Sequence, residues 1–249
     1  MKIHSSIDKD FNSKKKLISD DGKIRFNNRK SKIDAKGKKK SSQKWLSRQI
    51  NDPYTSAARI EGYLARSAYK LLEIQKKYNV FEKHINTIID LGCSPGSWSQ
   101  VVLTDKRFIG KQIIGVDLLP IKFEHPNLFF IQGDFEDKEV QDKILSTLKE
   151  ITKNNKTNKA DCIMCDIALN NIGDKEIDRI RCERIVETAL CFCRLNLVKN
   201  GHFICKTLKG ADNTLFKDIK NDFKFVHRFK PNASRKDSSE IFLVCLCKK

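Results

Sequence analysis

The stretch IIDLGCSPGSWSQ, from Ile88 to Gln100, decides the fold of this chain. Its apolar first half predicts a buried strand that ends near Asp90, and Gly92, Pro95 and Gly96 follow in a tight turn. A tryptophan then opens what should be a helix. A strand, a glycine turn and a helix in this order are typical of a site that holds a nucleotide-like cofactor against bare backbone.

Short apolar runs alternate with helical patterns along the rest of the chain. Helices are predicted through residues 66–78 and from starts near Gly96, Glu136, Glu176 and Ala211. This alternation indicates an α/β protein, with a mostly parallel sheet and helices on both faces. The first five strands are predicted in NTIIDL (86–91), QIIGVDL (112–118), LFFIQG (128–133), ADCIMCD (160–166) and HFICKTL (202–208).

The last part of the chain has a different pattern. Two further strands are predicted in FKFVHRF (223–229) and EIFLVCLC (240–247), with only a loop between them. Strands joined by a loop need no crossover, so antiparallel pairing is expected. The chain therefore predicts a seven-stranded sheet that is mostly parallel and ends in an antiparallel strand, unlike the usual dinucleotide-binding layout.

The formal charge of +18 at pH 7 is unevenly placed. Residues 1–40 hold fourteen Lys and Arg against five Asp, a net +9, and show no apolar period. We interpret residues 1–40 as a flexible basic tail and residues 41–249 as one folded domain. The lysine-rich stretch KEITKNNKTNKA (149–160) is predicted to be a helix end and a surface loop. A basic surplus favours a polyanionic partner, above all nucleic acid; the alternative is an aid to solubility.

Composition also excludes several classes of protein. No run approaches the ~20 apolar residues that span a bilayer, and the acidic residues of the N-terminus argue against an organellar presequence. We expect a cytoplasmic monomer without membrane contact. The nine cysteines include Cys162-x-x-Cys165, which lacks a second pair, so free thiols and no metal are expected.

The glycine turn favours one kind of cofactor over another. It lacks the G-x-G-x-x-G spacing that cradles a pyrophosphate, so S-adenosylmethionine fits it better than NAD. Asp117 lies 21 residues beyond Gly96, the offset of a carboxylate that accepts from ribose hydroxyls. Asp134 follows the next strand and is placed to meet an adenine amino group.

Several ordered motifs make the likeness specific. The chain resembles the FtsJ/RrmJ family of RNA ribose 2′-O-methyltransferases from about Ser41 to Lys249, and within it the bacterial-type members that methylate a uridine ribose in large-subunit (23S) ribosomal RNA. That resemblance implies a Rossmann-like S-adenosylmethionine-dependent methyltransferase fold, with ribosomal RNA, within the large subunit, as partner. The motifs are RSAYKLLEI, DLGCSPGSWSQ, GVDLLPI, QGDF, CDIALN, FICKTLKG and KPNASRKDSSEIFLV.

The same resemblance implies which residues act. A catalytic tetrad falls on Lys70, Asp166, Lys206 and Glu240, with Lys206 as proton acceptor. Two departures from the family pattern are Ser97, where glycine is common, and Leu169, where proline is usual. Cofactor contacts are implied at Gly96, Trp98, Asp117, Asp134 and Asp166.

The chemistry sets a condition on the base. A lysine accepts a proton only when its amine is neutral, so the pKa of Lys206 must fall from ~10.4. Burial and the nearby cation of Lys70 push in that direction, while the carboxylates oppose it. Taken alone, Lys70 could be a solvated helix lysine and Trp98 could be core packing. Alternative functions are a transfer RNA or messenger-cap methyltransferase, a non-catalytic RNA-binding protein and an NAD-dependent oxidoreductase.

Overall fold

The computed structural model describes residues 51–153, 157–168, 172–211, 213 and 215–249. The predicted tail 1–40 and Leu169 lie outside these residues. A seven-stranded sheet forms the centre of the described part. Its strands are β1 Thr87–Leu91, β2 Gln112–Asp117, β3 Leu128–Gln132, β4 Ala160–Cys165, β5 Leu197–Leu208, β6 Phe223–Phe229 and β7 Glu240–Lys248.

The strands lie in the order β3-β2-β1-β4-β5-β7-β6 across the sheet. Strands β1 to β5 pair in parallel, and β7 lies between β5 and β6 and runs antiparallel to both. The predicted mostly parallel sheet with an antiparallel ending is confirmed. The carboxyl ends of β1 to β5 consequently meet at one edge, together with the start of β7.

Six α-helices of the described residues surround the sheet. The helices are α1 Pro53–Glu61, α2 Ser67–Tyr78, α3 Ser97–Thr104, α4 Lys138–Ile151, α5 Lys175–Asn196 and α6 Phe216–Asp222. A 3₁₀ turn, Lys106–Phe108, follows α3.

Each face of the sheet has its own apolar core, so the prediction of helices on both faces is confirmed. On one face, Leu71 of α2 and Val101 of α3 pack with Ile88 of β1. On the other face, Ile144 of α4 and Val186 of α5 belong to a core cluster that includes Ile89 and Leu91 of β1. No helix in the described part of the chain is long and apolar enough to cross a membrane.

The boundaries of one helix differ from the sequence-based expectation. The helix expected near Ala211 begins at Phe216. Gly210 adopts a positive φ of 94°, and the Ala211 amide donates to the Leu208 carbonyl, so a turn occupies the first positions. All nine cysteines are free thiols, and Cys162 and Cys165 both lie within strand β4.

Candidate active site

The four residues of the predicted tetrad come from separate parts of the chain and meet at the carboxyl edge of the sheet. Asp166 directly follows β4, Lys206 lies near the end of β5, and Lys70 lies in the first half of α2. Glu240 opens β7 and pairs with Leu208, because β7 runs antiparallel to β5. The reversed last strand therefore returns a carboxylate to the edge where Asp166 and Lys206 stand.

The tetrad forms two lysine–carboxylate pairs. Lys70 Nζ lies 2.7 Å from Glu240 Oε1 and 2.9 Å from Oε2. Lys206 Nζ donates to the main-chain oxygen of Asp166 at 2.8 Å and lies 3.1 Å from its Oδ1. The four side chains are only 13–16% exposed, so the charges are largely withdrawn from water yet can be reached from it.

The charge state of Lys206 departs from expectation. Burial by itself would lower the pKa of Lys206, but the carboxylates of Asp166 and Glu240 outweigh burial and hold the pKa above its ordinary value. The expectation of a lowered pKa is wrong for this structure. The reason is that two carboxylates lie close to Lys206, and their combined effect on its pKa exceeds that of burial.

Glu240 stays ionised for the converse reason. Burial would raise the pKa of Glu240, whereas Lys70, Ser234 and Lys206 favour the carboxylate, and the net pKa lies below its usual value. Ser234 Oγ donates to Glu240 Oε1 at 2.8 Å. Glu240 is thus held from two sides.

Three supporting residues were missed by the sequence reasoning, although they lie inside motifs that it quoted. The loop between β6 and β7 is fastened to α2 through Glu73, which accepts from the Asn232 amide at 2.6 Å and the Ala233 amide at 2.8 Å. Arg66 donates to the Ala233 carbonyl of the same loop. Glu73 and Arg66 hold the loop that carries Ser234, and Ser234 in turn fixes the Glu240 carboxylate.

The glycine turn after β1 is built around Asp117. The carboxylate of Asp117 accepts from the Ser94 amide through Oδ2 and from the Leu119 amide through Oδ1, both at 2.8 Å. Gly96 has a φ of 103°, and a Cβ there would lie 2.8 Å from the Cβ of Phe123, so a larger residue would be strained. Asp117 therefore shapes the turn and keeps lone pairs for a further donor.

The other predicted cofactor residues differ in their surroundings. Trp98 is 2% exposed, packs beside Phe242 and donates through Nε1 to the Ser67 carbonyl at 3.0 Å. These are the contacts of a core residue, so a role as a cofactor wall stays a prediction. Asp134 is half-buried, and its Oδ1 accepts from the Glu136 amide at 2.9 Å.

Ser97 replaces the glycine that is common in the family, and the structure gives it a partner. Its hydroxyl lies 2.6 Å from the Ser67 hydroxyl, in a mostly buried position between α3 and α2. The departure therefore supplies a helix-to-helix hydrogen bond.

Buried carboxylates at this edge suit a cationic ligand. Asp90 Oδ1 is buried and accepts no hydrogen bond from the described residues, whereas the buried Asp166 Oδ1 lies 3.1 Å from the Lys206 ammonium. Burial raises the pKa of Asp90 to about 7, against a lowering contribution from the Ser99 hydroxyl. The unpartnered acceptor atom of Asp90, together with the carboxylates of Asp117 and Asp166, fits the ammonium and sulfonium charges of S-adenosylmethionine. No group of His, Cys, Asp and Glu side chains in the described ranges is arranged to hold a metal ion.

Comparisons with known proteins agree with this geometry. The family model of FtsJ-like methyltransferases matches residues 63–248. A ribosomal RNA large subunit methyltransferase E from Rickettsia bellii is 43% identical over 215 residues, which are 84% of this chain and 90% of that protein. The enzyme of the same name from Rickettsia conorii is 41% identical over the same length and shares.

A solved structure is similar as well. The crystal structure of a protein described as a ribosomal RNA methyltransferase, from Plasmodium falciparum, superposes with a TM-score of 0.65 at 33% identity. The match covers 75% of this chain and 98% of that one. The match to a methyltransferase family argues against the alternative of an NAD-dependent oxidoreductase. The chain belongs to the FtsJ-like methyltransferase family.

Proposed function

We propose that this protein transfers a methyl group from S-adenosylmethionine to the 2′-hydroxyl of a uridine ribose in large-subunit ribosomal RNA. The observation that carries the proposal is the meeting of Lys70, Asp166, Lys206 and Glu240 in two ion pairs at the carboxyl edge of the sheet. The relatives named as large-subunit ribosomal RNA methyltransferases support the substrate, as does the net charge of +18.

S-adenosylmethionine, when bound, supplies a methyl group on a positively charged sulfur. In this proposal Asp117 accepts from its ribose hydroxyls and Asp134 from its adenine amino group. Gly96 allows the close approach of backbone, Trp98 supports the turn from the core, and Asp166 faces the positive charge. The buried acceptor atom of Asp90, which has no hydrogen-bond partner among the described residues, supports this placement of positive charge.

Lys206 is the proposed proton acceptor. Lys206, as a neutral amine, would take the proton that the ribose 2′-oxygen loses when that oxygen receives the methyl group. Proton removal by a positioned group is typically worth about 10²–10⁴-fold in rate. Because the pKa of Lys206 is raised, few molecules carry the neutral amine at pH 7, so the rate should rise with pH.

The remaining members of the tetrad position the reacting groups. Asp166 holds Lys206 through its main-chain oxygen and its carboxylate. Glu240 holds Lys70, which is then directed at the ribose. Orientation of two substrates by such groups contributes to the rate in addition to the proton transfer.

We also propose that the chain acts as a monomer on RNA within the large subunit, through one domain of residues 41–249. The basic tail of residues 1–40 would add contacts to phosphates, since cationic segments release counterions when they bind RNA.

The test is transfer of labelled methyl from S-adenosylmethionine to large ribosomal subunits isolated from cells that lack this protein. Free ribosomal RNA and transfer RNA serve as competing substrates, and digestion to nucleosides identifies the labelled atom. We expect label on a uridine ribose 2′-oxygen in the large subunit. Label on transfer RNA alone would identify transfer RNA, and not ribosomal RNA, as the substrate. No methyl transfer despite cofactor binding would indicate a non-catalytic RNA-binding protein.

A further inference from the structure

A cleft lined by lysines lies at the opposite edge of the sheet from the candidate active site. We call it the distal lysine cleft; it has a volume of about 380 Å³ and is lined by Lys159, Lys199, Lys248 and Lys249, with Leu197 and Val198 among its walls. Lys159 belongs to the lysine-rich stretch 149–160, which has no role in the proposed reaction.

Three strands bring these lysines together at the amino edge. Lys159 directly precedes β4, and Lys199 lies near the start of β5, where Leu197 pairs with Ala160. Lys248 ends the antiparallel strand β7. At ~3.3 Å per residue, the seven steps along β4 from Lys159 to Asp166 span roughly 23 Å. The cleft is therefore separate from the tetrad.

The positive charge of the cleft is concentrated and partly fixed in place. Lys248 Nζ donates to the Leu197 carbonyl at 2.9 Å and to the Arg194 carbonyl at the end of α5. Burial lowers the pKa of Lys248, and the nearby cation of Lys159 lowers it further. Such a crowd of ammonium groups gains most from an anion that faces several of them.

The acidic groups close by are already engaged. The Asp222 carboxylate accepts from Arg194 Nε at 2.8 Å. Asp161 accepts from the amides of Asn86 and Thr87, each at 2.9 Å. None of the described side chains that line the cleft is acidic. The charged side chains that line the cleft are thus all positive, which favours an anionic ligand.

The edge strand β6 joins the cleft to the catalytic edge by a line of cations. Lys224 is exposed and donates to the Asn200 side chain at 3.2 Å, next to Lys199. Arg228 is also exposed, four residues further along β6 and therefore on the same face of the strand as Lys224. Lys230 follows the strand, and its Nζ donates to the Ser238 carbonyl at 2.7 Å, in the loop before Glu240.

We infer that the distal lysine cleft binds the phosphate backbone of the RNA whose ribose reaches the tetrad, with β6 as the path between them. Lysines act on phosphates as mobile point charges, and contacts of this kind position RNA without reading its sequence. The inference rests on the proposed function, because it takes the substrate to be a long RNA.

The test compares the salt dependence of RNA binding for two full-length triple variants of equal charge. The cleft variant carries Lys159→Gln, Lys199→Gln and Lys249→Gln, and keeps Lys248, which contacts α5. The control carries Lys106→Gln, Lys138→Gln and Lys143→Gln, which are exposed elsewhere. The slope of log K against log salt is negative. The loss of up to three phosphate contacts should make this slope less steep by about 2 for single-stranded RNA.

RNA length gives a second readout. An oligonucleotide of about four nucleotides, the lower limit of many single-strand sites, should bind both variants alike, because it cannot reach from the tetrad to the cleft. A long ribosomal RNA transcript should bind the cleft variant about 10-fold more weakly, with kcat and cofactor affinity unchanged. Equal slopes for the two triple variants, or equal loss with short and long RNA, would overturn the inference.

Two controls keep this result separate from the proposed function. Methyl transfer by the wild type is measured in the same samples, so a wrong reaction shows as no transfer by any protein. A wrong cleft assignment shows as normal transfer with equal slopes. Lys199→Glu alone, at an exposed position, should weaken binding of the long RNA more than Lys143→Glu does.

Discussion

At the scale of single residues, the balance of charge around Lys206 is the feature on which the chemistry depends. Two carboxylates hold its pKa up against burial. Lys206 is thereby kept mostly charged at neutral pH, and in the proposed mechanism its small neutral fraction accepts the proton. The pH dependence of the reaction should report this balance directly.

Glu240→Gln tests that balance. Loss of one carboxylate removes part of what raises the pKa of Lys206, so the rising limb of the pH–rate profile should move to lower pH. The maximal rate should fall, because Lys70 loses its partner. Methyl transfer measured from pH 6 to 10 checks this, with Glu150→Gln on the exposed end of α4 as control. A Glu240→Gln profile that still rises as steeply up to pH 10 as the wild-type profile would show that Glu240 does not set the pKa of the group that limits the rate.

How much of the site can be predicted from sequence is clearest for the tetrad and its supports. Each of the four tetrad residues lies in a sequence motif that resembles the family pattern. The structure brings them together as two ion pairs, Lys70 with Glu240 and Lys206 with Asp166. The direction of the Lys206 pKa could not be predicted, because it depends on distances to two carboxylates from different strands.

At the scale of elements, α2 organises the site. Its first half carries Lys70, its middle carries Glu73, which holds the loop before β7, and Ser67 contacts α3. The alternation of apolar and helical segments was sufficient to predict these elements. The attachment of the loop to α2 was not predictable, because residues 73 and 233 meet only once β7 has entered the sheet beside β5.

The hydrogen bond between the Ser67 and Ser97 side chains should contribute to the stability of the fold. The two hydroxyls are 2.6 Å apart between α2 and α3. Ser67→Ala and Ser97→Ala should each lower the free energy of unfolding by about 1 kcal/mol, and the double variant by less than the sum. Denaturant unfolding measures the cycle, and Ser146→Ala on exposed α4 paired with Ser97→Ala should be additive. Additivity of the two contact variants would mean that the hydrogen bond contributes nothing.

At the scale of the whole molecule, the two edges of one sheet have opposite character. The carboxyl edge collects acidic residues and the tetrad, and the amino edge collects the distal lysine cleft. The net charge of +18 predicts an anionic partner but not where that partner binds. That location arises only when residues 159, 199 and 249, far apart in sequence, are brought together by the strand order.

The rate of methyl transfer by a variant without the Lys206 amine shows whether Lys206 accepts the ribose proton. Single-turnover methyl transfer to large ribosomal subunits is compared for the wild type, Lys206→Ala and the exposed control Lys143→Ala, with the affinity for S-adenosylmethionine measured alongside. We predict a loss of at least ~10²-fold in rate for Lys206→Ala, with cofactor affinity nearly intact and the control unchanged. A Lys206→Ala rate equal to that of the wild type would contradict the account.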